Sequence, residues 1–475
     1  MKGERMAYIS GESRKQITMF PEVVDDYIAE DNPVRFIEAF VDGLDMAEVG
    51  FGRAEPNDLG RPGYDPRDLL KLYIYCYLNR VRSSRRIEIE AGRNLELMWL
   101  MRKLKPDFKT IADFRKGNTK GLKKIFQEFS EICRKLELFG GELVAVDGSK
   151  FRASNSKKKN FTAAKLKYLM QKADKRIEEY LKQLDRGDTE DEARQETVEA
   201  LNKKIEKLRE IREEYKETEQ KLDKSGEKQL SVTDPDARLM KTEQGTHVCY
   251  NVQMAVDSKH KMIIAMELTN EGNDLNQLSS IAGEAKKELG VEEIEVVTDM
   301  GYYDCDQVKE CADNGITVYM DKPAVKVIQG VYSKERFDYN VEKDVYICPA
   351  GEDLTYRTTD KQKSMKIYKT DSCESCGLKK ECTSGEGLRV IKRHIHEGAM
   401  EEMAARVKGN REKLRLRAGL AEHPWGTMKR TLDQGYFLLR GTEKVEVEMR
   451  LNGLIYNLKR ALSIVGVPKL IEALA

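Results

Sequence analysis

The sequence predicts an α/β protein in which a helical N-terminal region precedes a mixed sheet. Three observations predict this. Leu143-Val144-Ala145-Val146 are four apolar residues, mostly small or β-branched, that read as a buried strand ending in Asp147, Gly148 and Ser149. Ile294-Glu295-Val296-Val297-Thr298 repeats the device and runs into Asp299, with Gly301 close behind. Strand-like and helix-like stretches then alternate through residue 320, the pattern of a mixed α/β sheet. A carboxylate at the end of a buried strand is costly unless it is paired or holds a metal. Asp147 and Asp299 are therefore expected side by side on the central sheet, holding divalent metal.

Composition sets the limits. A chain of 475 residues has room for more than one domain. Charged residues make up 35% and hydrophobic residues 40%, and no apolar run approaches the roughly 18 residues of a membrane helix, so no membrane partner is expected. Met1-Lys2-Gly3-Glu4-Arg5 has no apolar stretch behind its charges, so no secretion signal is expected. Nine cysteines without such a signal favour reduced thiols and a metal site over disulfides. The net charge of +1 means that a nucleic-acid partner has to be met by local basic patches.

Residues 1–140 read as helices. Asn32 caps one helix, with Pro33 in its first turn. Gly60-Arg61-Pro62-Gly63-Tyr64-Asp65-Pro66 is a turn-rich break that opens an apolar helix through Leu78. A basic connector follows, Asn79 to Arg86, and Ser84 caps the next helix through Met98. Helix, tight turn, helix with Arg80, Arg82, Arg85 and Arg86 at the joint suits a helix-turn-helix meeting phosphate. A plain helical bundle with a solvated turn fits the same pattern. From 162 to 226 two narrow apolar seams, joined by a turn at Asp185-Arg186-Gly187-Asp188-Thr189, predict an inserted antiparallel helical hairpin. It serves partner contact or only packs on itself. Val248–Asp257 and Lys261–Leu268 form a hairpin, Asp274–Leu289 and 304–314 are helices, and Ile316–Met320 is a strand. Helices over about 397–418, 421–433 and 443–463 close the chain.

Two aspartates alone do not make a reactive centre. Glu422 is the third candidate, with Lys429 seven residues on and on the same face if the helix is continuous. Pro424 fits that helix only in its first turn. Three carboxylates would hold two Mg²⁺ (or Mn²⁺) ions roughly 3.5–4 Å apart, with Lys429 gripping a phosphate, the layout of a phosphoryl-transfer site. Trp425 either stacks on a base or packs in the core. Cys348, Cys373, Cys376 and Cys382 have the residue types of a structural Zn²⁺ site, and four reduced structural thiols are the alternative. His394 and His396 lie nearby and read as solvent-facing. Phosphate contacts are expected from Arg80, Arg82, Arg85, Arg86, Lys150, Arg152, Lys157, Lys158, Lys159, Lys429 and Arg430.

Val146–Lys150, Val297–Tyr302 and Glu422–Arg430 together resemble the three acidic motifs of DDE transposases of bacterial insertion sequences, the last being similar to their Glu-six-residues-Lys signature. Gly60–Pro66 and Lys109–Arg115 resemble the N-terminal domain of the same proteins, nearest the IS-eleven-eighty-two group of the IS-four/IS-five-like superfamily. This resemblance implies an RNase H-like catalytic core over 141–345 and 386–475, interrupted by the hairpin at 162–226 and a Cys-rich segment at 346–385. It implies Mg²⁺ dependence, action on double-stranded DNA at terminal inverted repeats and target sites, a homodimer on paired ends, and a bacterial cytoplasmic location near the nucleoid. By position Asp147, Asp299 and Glu422 become the triad. The Tyr and Arg that often precede the Glu are here Arg415 and Ala418, with Arg417 as the available substitute. An RNase H-like nuclease that cuts without joining, and a DNA-binding protein without catalysis, remain open beside the transposase.

Overall fold

Among the described residues of the N-terminal third, seven α-helices are formed: α1 (Pro33–Asp42), α2 (Met46–Val49), α3 (Pro66–Leu78), α4 (Ser84–Ala91), α5 (Leu95–Leu100), α6 (Phe108–Gly117) and α7 (Thr119–Lys135). They belong to a computed structural model that describes residues 23–52, 63–185, 192–324, 329–384 and 387–474. The expected turns at Gly60-Arg61-Pro62 and Arg186-Gly187-Asp188-Thr189, and the N-terminal Met1–Arg5, lie outside the described residues. The chain divides into two compact units, one of residues 122–460 and one of 1–121 with 461–475.

Local chemistry sets the helix starts in the N-terminal unit. Asn32 Oδ1 accepts from Val34 N–H at 3.0 Å with Pro33 behind it, and Asp65 Oδ1 accepts from Arg67 N–H at 2.8 Å ahead of Pro66. The helix expected from Ser84 to Met98 is instead two. Gly92 ends α4, and Asn94 caps α5 by accepting from Leu97 N–H at 3.1 Å.

In the second unit β1 (Leu143–Arg152) is the central strand. The strands and helices that follow are β2 (Asn160–Phe161), α8 (Ala163–Asp185), α9 (Glu192–Ser225), β3 (Leu230–Ser231), β4 (Arg238–Thr242), β5 (Gly245–Asp257), β6 (Ile263–Thr269), α10 (Leu278–Leu289), β7 (Ile294–Val297), α11 (Cys305–Asp313) and β8 (Ile316–Tyr319). The sheet runs β4-β5-β1-β7-β8, with β6 also on β5. β5 is antiparallel to β1, β4 and β6, whereas β7 is parallel to both β1 and β8. The sheet is thus mixed, as expected. α8 and α9 pack along Leu166, Ala173, Ile205 and Leu222, all buried, with β2 and β3 paired at their base.

The Cys-rich segment carries more structure than its turn residues imply. β9 (Asp338–Asn340), β10 (Val345–Ile347), β11 (Asp353–Asp360), β12 (Met365–Lys369) and β13 (Ile391–His394) form a second, antiparallel sheet over a core of Phe337, Tyr346, Leu354, Tyr368 and Ile391. The short helix α12 (Lys379–Cys382) lies between β12 and β13.

The terminal helices are α13 (Glu397–Gly409), α14 (Arg411–Gly426) and α15 (Thr442–Glu472). Their boundaries depart from the expected ones, because the break falls at Asn410 and α14 runs through Pro424. Pro424 has no N–H for the carbonyl of Leu420, and the chain leaves α14 through a widened π turn at Thr427–Thr431. α15 packs tightly at Gly453. A Cβ there would stand 2.5 Å from Met266 Sδ and 3.2 Å from Phe126 Cε2. Gly453→Ala is expected to destabilise the protein by about 1–3 kcal/mol, read as a lowered urea midpoint at constant slope.

Candidate active site

The parallel register brings the two aspartates together. Ala145 pairs with Val297, so Asp147 and Asp299 each stand two residues beyond the same paired position on adjacent strands. Side chains two apart on a strand share a face. β7 stops at Val297, and Asp299 turns into a single helical turn at Met300–Tyr302, accepting from Gly301 N–H at 2.8 Å. Burial pushes the Asp147 carboxyl up to about 6, and the Asp299 charge adds to the rise, while Arg417 and the Trp425 N–H oppose it. β1 does not end at Asp147 as expected but runs on to Arg152, so the acid is held largely buried in mid-strand, and two like charges held this close fit a divalent cation in donor chemistry.

α14 covers the aspartates. Trp425 Nε1 donates to Asp147 Oδ2 at 3.1 Å, and Arg417 reaches Asp147 Oδ1 at 3.8 Å. Trp425 is therefore neither a free stacking surface nor only core: it is 7% exposed and spends its N–H on the carboxylate. Arg417 does reach the site. Glu422 lies between these two residues on the same helix and three residues from Trp425, which are neighbouring positions on a helical surface. Its side chain is exposed. Among the described residues no group of three or more His, Cys, Asp or Glu stands close enough to hold a metal, so the structure pairs the aspartates without gathering Glu422 to them.

Lys429 lies in the π turn and reaches β1. Lys429 Nζ donates to Ser149 Oγ at 2.5 Å and sits over the rings of Phe151 and Trp425, at 4.8 and 5.9 Å from their centres. Burial pulls its ammonium below the ordinary lysine value. Ser149 and Trp425 carried no such signal in the sequence beyond their place beside the acidic motifs.

On the reverse face of β1, Asn251, Gln253 and Asp274 carried no signal as site residues either, whereas Lys150 was expected at phosphate. Gly148 and Lys150 pair with Gln253 and Asn251. Asp274 reaches three of these four: Oδ1 accepts from Asn251 Nδ2 at 2.6 Å and Gln253 Nε2 at 2.7 Å, and Oδ2 lies 3.4 Å from Lys150 Nζ. The Tyr302 hydroxyl donates to Gln253 Oε1. Burial, with the charges of Asp274, Asp147 and Asp299, holds that hydroxyl protonated.

Beside the strand end opens a groove of about 750 Å³. Among the described residues, Lys150, Arg152, Lys241, Lys429 and Arg430 line it beside two acids, Glu243 and Asp433. Arg80 is exposed on the connector between α3 and α4, and Arg85 and Arg86 are exposed in the first turn of α4. Arg82 corrects the expectation: it is 4% exposed with its guanidinium over Tyr77, so it packs inside the helices and is not offered to phosphate.

Cys348, Cys373, Cys376 and Cys382 line one small cavity. Burial raises the Cys382 thiol and Arg389 opposes it, while Cys373, Cys348 and Cys376 push it further up. Their chemistry fits zinc, but their spacing does not close a ligand shell. His394 is buried rather than solvent-facing, and both His394 and His396 stand 3.8 Å from Asp306 Oδ1.

Two family models match the chain. One, described as Transposase domain (DUF772), covers residues 22–117; the other, described as Transposase DDE domain, covers 347–462 and so includes Glu422 and Lys429. The two matches support a DDE transposase of insertion-sequence type. No curated protein matches this chain. Among solved structures it is similar to a piggyBac transposase synaptic complex with hairpin DNA, at 9% identity and a TM-score of 0.31, over 94% of this chain and 79% of that one. No helix among the described residues is long and apolar enough to cross a membrane.

Proposed function

We propose that this protein is an RNase H-like phosphoryltransferase that cuts DNA at the ends of its element and joins the 3′ end to target DNA. The observation that carries the reading is the pair of aspartates at one level on adjacent parallel strands, with Asp147 pushed up to about 6 by burial and by its neighbour. The sheet supports it, with antiparallel strands on one side of β1 and parallel strands on the other. Asp147 and Asp299 hold divalent metal, and Glu422 joins them from α14 when DNA is bound. Bound Mg²⁺ or Mn²⁺ supplies Lewis-acid activation of the attacking oxygen and relief of charge on the leaving one.

The chain's own side chains do the positioning. Trp425 orients the Asp147 carboxylate through its N–H. Ser149 fixes the Lys429 ammonium at the mouth of the basic groove, where it grips a phosphate. Lys150, Arg152 and Arg430 hold the strand beyond it, and Arg80, Arg85 and Arg86 contact duplex phosphates. Two element ends held at once call for a homodimer.

The test uses purified protein with linear DNA carrying the element's ends and Mg²⁺. Cleavage followed by a joined product is expected. Cleavage without joining points to a nuclease, and binding without cleavage to a protein that only holds DNA. We further propose that the four cysteines, which line one cavity without closing a ligand shell, draw together around zinc as a structural staple when the metal binds. Purified protein is expected to contain about one zinc per chain and to melt lower after chelation. Absence of zinc together with an unchanged melting curve removes the staple.

A further inference from the structure

We infer that Asp274 is a positioning residue for the Asp147–Asp299 centre, acting from the reverse face of β1 through Gln253 and Tyr302. The inference rests on the proposed metal-holding role of the two aspartates.

The space for Asp274 exists because two motif glycines leave it. A Cβ on Gly148 would stand 2.6 Å from Asp274 Oδ1 and 2.7 Å from Gln253 Nε2. A Cβ on Gly301 would stand 3.9 Å from Asp274 Oδ2. The carboxylate therefore lies between the residue after Asp147 and the residue two after Asp299. It is not at the free end of a loop: Asn251 and Gln253, both 0% exposed, donate to one of its oxygens, and Lys150 faces the other.

From Asp274 a continuous chain of donors runs to the second aspartate. Gln253 gives its N–H to Asp274 and receives the Tyr302 hydroxyl on its oxygen, so its amide is oriented at both ends. Tyr302 is fully buried and closes the single turn that Asp299 begins and caps. That turn sets where the Asp299 carboxylate stands relative to Asp147. Without the Asp274 oxygen, Gln253 has no fixed orientation, Tyr302 loses its acceptor, and the Asp299 turn is free to shift. Polar groups that orient metal-holding side chains typically change metal affinity by about 10–100-fold when removed.

The experiment measures Mn²⁺ binding to the full chain without DNA, from the electron paramagnetic resonance signal of free Mn²⁺. Asp274→Ala is expected to weaken binding about tenfold or more. Asp274→Asn, which keeps an oxygen for Asn251 and Gln253, is expected to stay within about threefold of the parent. Affinity for end DNA without metal is expected to be unchanged in both. If Asp274→Ala does not fold, Gln253→Leu tests the same link and is expected to lose Mn²⁺ to the same degree. A folded Asp274→Ala or Gln253→Leu protein that binds Mn²⁺ like the parent overturns this inference and leaves the metal-holding aspartates intact. A parent protein that binds Mn²⁺ no better than Asp147→Asn overturns the metal-holding role and this inference with it.

Discussion

Asp147→Asn is expected to abolish DNA-end cleavage and, at pH 8 without metal, to leave the protein more stable than the parent. The loss of cleavage should be on the order of a thousandfold or more, because an amide cannot replace a charged ligand of the reacting centre. The stability gain follows from the carboxyl that burial and Asp299 push from 3.8 up to about 6. The folded protein holds that proton more tightly than the unfolded chain does. The group therefore favours the fold at pH below 3.8, and this contribution is lost as pH rises through 6. Above pH 6 the charge costs the fold about 3 kcal/mol at about 1.4 kcal/mol per pH unit. Asparagine keeps the shape and an acceptor for Trp425 without the charge. Urea unfolding should show the gap at pH 8 and its steady shrinkage towards pH 4. Added Mg²⁺ should raise the parent's midpoint and leave the variant's unchanged.

Glu422→Gln is the second large effect, and it should separate activity from stability. Cleavage is expected to fall by about the same factor as for Asp147→Asn. Stability should stay within about 0.5 kcal/mol of the parent, because the side chain is exposed. The two aspartates meet in the fold itself, through strand register. Glu422 is held near them only by its helix, which presents Arg417 and Trp425 to Asp147 on either side of it. An exposed surface glutamate with no role would leave cleavage intact. Parallel cleavage and melting measurements on the one variant decide between the two.

The two apolar runs were legible because both their periodicity and their composition are local, although β1 continues past Asp147 to Arg152 and only β7 stops before its aspartate. Four apolar residues before Asp147 and a matching run before Asp299 predict neighbouring strands, and the Ala145–Val297 register carries this out. Asp274 was not legible. In Glu271-Gly272-Asn273-Asp274 it reads as the start of a helix, yet α10 begins at Leu278 and Asp274 sits in the preceding turn. Its partners come from β1 and β5, and only the antiparallel register that places Gly148 opposite Gln253 brings them to it. The second sheet was missed for a different reason. Leu354-Thr355-Tyr356-Arg357-Thr358 and Met365-Lys366-Ile367-Tyr368-Lys369 have the β-branched and aromatic residues of strands, but the strands are short and the cysteines beside them drew the reading to turns. Lys429 was placed with Glu422 by counting helical turns. The π turn after Pro424 and the bond from Lys429 to Ser149 were not legible in that count.

Diffraction from the DNA-bound protein soaked in Mn²⁺, recorded at the manganese absorption edge, tests the central claim most directly. The predicted result is an anomalous peak between the carboxylates of Asp147 and Asp299, with Glu422 drawn in beside it. Manganese bound elsewhere, with those two carboxylates empty beside a bound DNA end, would contradict it.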